Sequence, residues 1–149
     1  MRLPVLILLV ATLSTAACGG TPTSPSTTSS TPTTVTERFD AIINVKGSSF
    51  FPFSVGTNGG SVAINFASLS PLSRPGLLPL TMEIGYGTVV RDDDGNIAMC
   101  ALLKVVQATP ALTAQLTDPL AAGVNYCANI ADVGALTESA NFSIRITHS

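Results

Sequence analysis

The chain has 149 residues, of which 46% are hydrophobic and only 11% charged, with nine acidic against seven basic side chains and a formal net charge of −2. That balance lacks the basic face that nucleic-acid binding asks for. One histidine and three cysteines, none of them in a CxxC pair, leave no ligand set for a zinc site.

Taken from the start, Met1 and Arg2 supply a short positive segment, and Leu3 to Leu13 form an apolar run interrupted only by Pro4 and Thr12. A bilayer span needs about 20 apolar residues. The run has instead the length of the apolar part of a secretory signal, and small residues follow it, Ser14, Thr15, Ala16 and Ala17, before Cys18. Residues 1–17 are therefore expected to be a signal peptide. The arrangement resembles the lipobox of bacterial lipoproteins, and the resemblance implies that Cys18 is lipidated, becomes the new N-terminus and anchors the chain to a membrane. Gly19 stands where an aspartate would retain such a protein in the inner membrane, which implies sorting to the outer membrane. The alternative, an ordinary cleavage after Ala17, would leave a free thiol of a kind uncommon in exported proteins.

Lipidation of Cys18 leaves an even number of cysteines, so Cys100 and Cys127 are expected to pair; two buried thiols are the alternative. From Gly19 to Thr36 the chain is almost entirely Ser, Thr, Pro and Gly, with Val35 the one aliphatic residue. Such a segment has nothing to bury against the entropy cost of ordering. Residues 18–36 thus read as the lipidated cysteine and a disordered tether that lifts the rest off the lipid surface.

Residues 37–149 are long enough for one domain with a core. Period-two alternation recurs through them. An opening strand is expected near Asp40 to Val45. Phe51, Phe53 and Val55 share a face, as do Val62, Ile64 and Phe66 beyond the turn Thr57-Asn58-Gly59-Gly60, and the two runs read as a hairpin. Pro71, Pro75 and Pro79 mark an irregular crossover. Leu80, Met82, Ile84 and Tyr86 alternate next. Ala101, Leu103 and Val105 then share a face, followed by Leu112, Ala114 and Leu116, with a helix over Ala111 to Leu116 as the local competitor. Val124, Tyr126, Ala128 and Ile130 form another strand, and Phe142, Ile144 and Ile146 the last. The expected fold class is all-β, an antiparallel β-sandwich of jelly-roll or Ig-like type.

The segments FPFSV, GGSVAINFASLSP, LTMEIGYG, LAAGVNYCANIADVG and NFSIRITHS, in that order, resemble the small secreted β-sandwiches of the prepeptidase C-terminal group. The resemblance implies a non-catalytic accessory module.

Catalytic chemistry is not expected. A nucleophile needs a base beside it, and the one histidine, His148, is read as lying at a frayed C-terminus. The acidic turn Arg91-Asp92-Asp93-Asp94-Gly95-Asn96 reads as a hairpin connection; Asp92, Asp94 and Asn96 are the one candidate calcium set, without the later bidentate glutamate of an EF-hand loop. No cofactor is expected. Phe50 breaks the parity of its neighbours and is expected to tuck under a loop rather than to form a glycan platform. The sequence thus points to a lipid-anchored, non-catalytic binding or structural module of the cell envelope. A carbohydrate-binding module and an envelope-assembly or protein-interaction factor are the alternatives.

Overall fold

The computed structural model describes residues 33–149. The expected signal peptide, Cys18 and the expected tether up to Pro32 lie outside the described residues.

Eight strands follow one another: β1 (Val35–Ile43), β2 (Ser48–Ser54), β3 (Gly60–Pro71), β4 (Met82–Arg91), β5 (Ile97–Ala108), β6 (Leu116–Leu120), β7 (Asn125–Ala131) and β8 (Ala140–His148). They form two four-stranded antiparallel sheets, β1-β8-β3-β6 and β2-β7-β4-β5. The pairs β4·β5, β3·β6, β2·β7 and β1·β8 nest inside one another, as if one long hairpin had been wrapped around a core. This is the double Greek-key order of a jelly roll, so of the two sandwich types expected the jelly roll is the one adopted.

The alternating residues meet between the sheets. Val62, Ile64 and Phe66 of β3 and Ile144 and Ile146 of β8 face Ile84 of β4 and Ile130 of β7, all within one buried cluster. A bulge between Phe66 and Ser68 switches the parity of β3, so Leu69 turns inward while Ser68 and Ser70 go to the outside. Tyr126 closes the β6–β7 connection: its hydroxyl accepts the Ala121 N–H at 3.0 Å, which lets a buried phenol keep its polar end paired.

Four expectations change. β1 starts at Val35 rather than near Asp40, so the folded domain begins two residues before the boundary at Glu37; Thr36 already bonds Thr147 across the ladder. β2 and β3 are not a hairpin but lie in opposite sheets, joined by an arch through Thr57 to Gly60. Alternation shows that one face of each strand is buried; it does not show whether two strands lie side by side or face to face. The stretch Ala111 to Gln115 is neither strand nor helix. Its carbonyls at Ala111 and Thr113 accept the Asn65 amide, its Gln115 side chain binds both backbone groups of Phe66, and Leu112 is 96% exposed. Finally, His148 is not frayed: it ends β8, is 7% exposed, packs on Phe53 and meets Glu37 at 3.1 Å.

The loops at one end are gathered by Asp132. Its carboxylate accepts backbone N–H bonds from Lys46, Gly134, Ala135 and Leu136, and its own N–H binds the Gly47 carbonyl. Burial by itself would raise the pKa of this group, but the four donors outweigh it and hold the carboxyl below the ordinary value.

Candidate ligand-binding groove

The outer face of the β2-β7-β4-β5 sheet is built in cross-strand rows. In one row Phe50 of β2 lies opposite Asn129 of β7, Asn129 opposite Gly85 of β4, and Gly85 opposite Val105 of β5. The next row runs Pro52, Cys127, Gly87 and Leu102. Both central positions of β4 are glycines because β5 leans over them. A Cβ on Gly87 would stand 2.1 Å from the Ala101 carbonyl oxygen, and one on Gly85 2.6 Å from that of Lys104. A bulge after Tyr86 lets β5 make this turn, placing Leu103 as the extra residue.

That bend explains how the disulfide forms. Cys100 and Cys127 belong to β5 and β7, which flank β4 and do not pair with each other. Flat strands two places apart would sit about 10 Å apart, yet these two Cα atoms are 5.9 Å apart and their sulfurs are bonded. The bridge therefore crosses over Gly87 on the outer side of the sheet, outside the apolar cluster between the sheets. Cys127 is nevertheless fully buried, because β5 covers it. The same bend overturns the expected face of Ala101, Leu103 and Val105: Val106 and Ala108 point inward instead, and Leu103 is 62% exposed.

Between the raised part of β5 and the facing strand β2 lies an open groove of about 360 Å³. Met99 and Leu102 form one wall and Phe50 the other; Asn129 is on the floor, with Glu83 and Ser48 toward one end. Asn129 is 7% exposed, and among the described residues its amide takes part in no side-chain hydrogen bond. Phe50 is thus not tucked under a loop. It stands half-exposed on the sheet beside Asn129.

The other margin of β5 is polar. Tyr86 donates to the Asp118 carboxylate of β6, and Lys104 reaches the same carboxylate at 3.2 Å. Burial, with the Asp118 charge behind it, pushes the Tyr86 phenol up to about 12, while the Tyr86 hydrogen bond and Lys104 hold Asp118 below the ordinary carboxylate value. The opposite sheet carries a wider hollow lined by Asp40, Ser68, Ser70 and Asn141. There the Arg38 guanidinium pairs with Asp40 at 2.9 Å and lowers its pKa.

The acidic turn forms the β4–β5 hairpin connection. Asp92 Oδ1 is turned inward to accept the N–H groups of Asp94 and Asn96, Gly95 takes the left-handed conformation, and Arg91 binds the Gly95 carbonyl. Among the described residues no three His, Cys, Asp or Glu side chains cluster as a metal site. His148, the single histidine, is engaged with Glu37 and Phe53 away from the groove. The groove itself was not legible as a site in the sequence; the off-parity Phe50 and the Gly85-x-Gly87 pair were the signals for it.

In comparison with known proteins the chain matches no family model and no curated protein.

Proposed function

We propose that this protein is a lipid-anchored, non-catalytic binding module of the cell envelope, held through Cys18 at the end of a Ser/Thr/Pro-rich tether and sorted to the outer membrane. The observation that carries the binding reading is the groove on the β2-β7-β4-β5 sheet, a concave apolar surface with a few polar groups converging on it, in the size range of small-molecule sites. The commitment of His148 to Glu37 and Phe53 supports a module without acid–base chemistry, in keeping with the resemblance to the prepeptidase C-terminal group. The tether supports display: at roughly 3 Å per residue it would hold the sandwich tens of ångströms from the lipid.

The anchor is tested by metabolic labelling with an alkyne fatty acid followed by fractionation. Wild type is expected to be labelled and to sediment with the outer membrane, and Cys18→Ala to be unlabelled and released, since each buried CH₂ contributes about 0.8 kcal/mol to anchoring. Equal labelling of the two proteins would overturn the anchor. Recovery in the inner membrane alone would overturn the sorting.

A protein partner is the second reading, favoured by β5. It is a 12-residue edge strand free of proline, and Met99, Leu102, Leu103 and Val105 on it are all exposed. The edge strands β2 and β6 carry Pro52 and Pro119, and β1 carries Arg38 and Asp40; β5 has Lys104 and the bulge at Leu103 against edge pairing, so it is the exposed apolar side chains, not a bare edge, that favour a partner there. Under this reading Leu103→Glu abolishes co-purification of an envelope protein; unchanged co-purification would remove it.

A further inference from the structure

The geometry points to a neutral glycan as the ligand of this groove, with the ring of Phe50 taking the apolar face of one sugar residue and Asn129 and Glu83 taking its hydroxyls. The inference rests on the binding-module reading above and gives that site its ligand class.

Asn129 carries the argument. A primary amide offers two donors and an acceptor. The Asn129 residue is 7% exposed, its amide makes no side-chain hydrogen bond among the described residues, and it meets solvent in the groove. A ligand that displaces water from it has to restore those hydrogen bonds, which selects for a hydroxylated partner. A pair of adjacent hydroxyls, each both donor and acceptor, matches the amide edge. Glu83 sits one row further along the same face, where it can accept from a neighbouring hydroxyl: on β4 it precedes Gly85 by two residues, and it pairs with Ala131 as Gly85 pairs with Asn129.

The surrounding residues narrow the choice. Phe50 is on the outer face and among the described residues pairs with no aromatic ring; the aromatic pairs of the core use Phe39, Phe51, Phe53, Tyr86 and Tyr126. A sugar ring carries C–H groups on one face and hydroxyls around its edge, so it fits an aromatic wall beside an amide floor. Among the described residues no lysine, arginine or histidine lines the groove, and Glu83 does, so an anionic polymer would meet repulsion without a cation to offset it. Gly85 keeps the floor between Asn129 and Val105 free of side chain, because β5 crosses there. The hollow on the opposite sheet offers hydroxyls and a carboxylate without such a wall: Phe142, which borders it, points into the core.

The test uses the full-length lipoprotein in a zwitterionic detergent free of sugar. Calorimetry and saturation-transfer NMR would follow titration with neutral linear hexasaccharides (a β-1,4-glucan, an α-1,4-glucan and a β-1,4-N-acetylglucosamine oligomer) and with an anionic oligogalacturonide. At least one neutral hexasaccharide is expected to bind, with saturation transferred to its ring C–H protons, and the oligogalacturonide is expected not to bind. Asn129→Ala and Phe50→Ala should each weaken binding about tenfold, and Glu83→Gln less. Phe50→Leu, which keeps an apolar side chain but loses the π face, guards against a folding defect, as does an unchanged melting temperature for Glu83→Gln. Binding of none of the neutral oligomers, or binding that Asn129→Ala leaves unchanged, would overturn the inference. If the glycans fail while Leu103→Glu still abolishes capture of an envelope protein, the ligand class falls and the binding-module reading stands.

Discussion

The two sheets are joined along two margins, and the margins are closed in opposite ways. Where β1 meets β2, Phe39 and Phe51 stack with centroids 4.5 Å apart, and Phe142 leans on Phe51 at 6.0 Å. Where β4 and β5 meet β6, the contact is polar: Tyr86 and Lys104 converge on Asp118. An apolar seam gains from every area it removes from water. A polar seam gains only if each group is paired, and it ties residues to one geometry. The polar margin is also where β5 is bent over β4 and bonded to β7, and that bend raises the wall of the groove. The comparison teaches that the apolar side of the sandwich serves stability, whereas the side with specific pairing shapes the groove.

Substituting Gly87 should break the comparison most completely. Gly87→Val places a side chain where the Ala101 carbonyl passes, so β5 must move off β4 and the bridge over it must open. The expected loss is about 4 kcal/mol, combining overpacking with the loss of a crosslink that closes a 27-residue separation. Denaturant titration with thiol counting checks it; a stable variant with no free thiol would mean that β5 is not held there. On the apolar margin, Phe51→Ala should cost about 3 kcal/mol while leaving the disulfide and groove in place. A variant that gained free thiols along with losing stability would show that the two margins are coupled.

The smallest effect is expected at Tyr86. Tyr86→Phe removes one hydrogen bond and should cost about 1 kcal/mol near neutrality. Its sharper signature is alkaline. The phenol titrates at an ordinary value of 10.0 when unfolded and at about 12 when folded, so the stability it contributes is complete below pH 10 and is lost as the pH rises from there toward about 12. Stability of the wild type should fall through that window, and that of Tyr86→Phe should fall less. Parallel curves would detach Tyr86 from the seam.

Much of this molecule was legible in its residues. The alternating sets of β3, β4, β7 and β8 did become the inner faces, because period two is imposed by the pleat and one face of each strand had to leave water. The pairing of Cys100 with Cys127 followed from counting, and the inward parity of Tyr126 and Ala128 agrees with its place outside the core. The Asp-Gly turn made the β4–β5 hairpin because its chemistry is local.

What failed was non-local. The arch between β2 and β3 looked like a hairpin, since burial of one face is the same whether the partner lies beside a strand or across from it. The parity of β5 was misread because one bulged residue, Leu103, reverses every side chain beyond it, and no local signal marks a bulge whose cause is a neighbouring strand. The sequence by itself determined the inward faces of β3, β4, β7 and β8, the Asp-Gly turn between β4 and β5, and which cysteines would bond. Only the tertiary structure decided which strands shared a sheet, where β5 bent over two glycines, and that Phe50 and Asn129 came to stand side by side on an open face, because those depend on contacts between residues far apart in the chain.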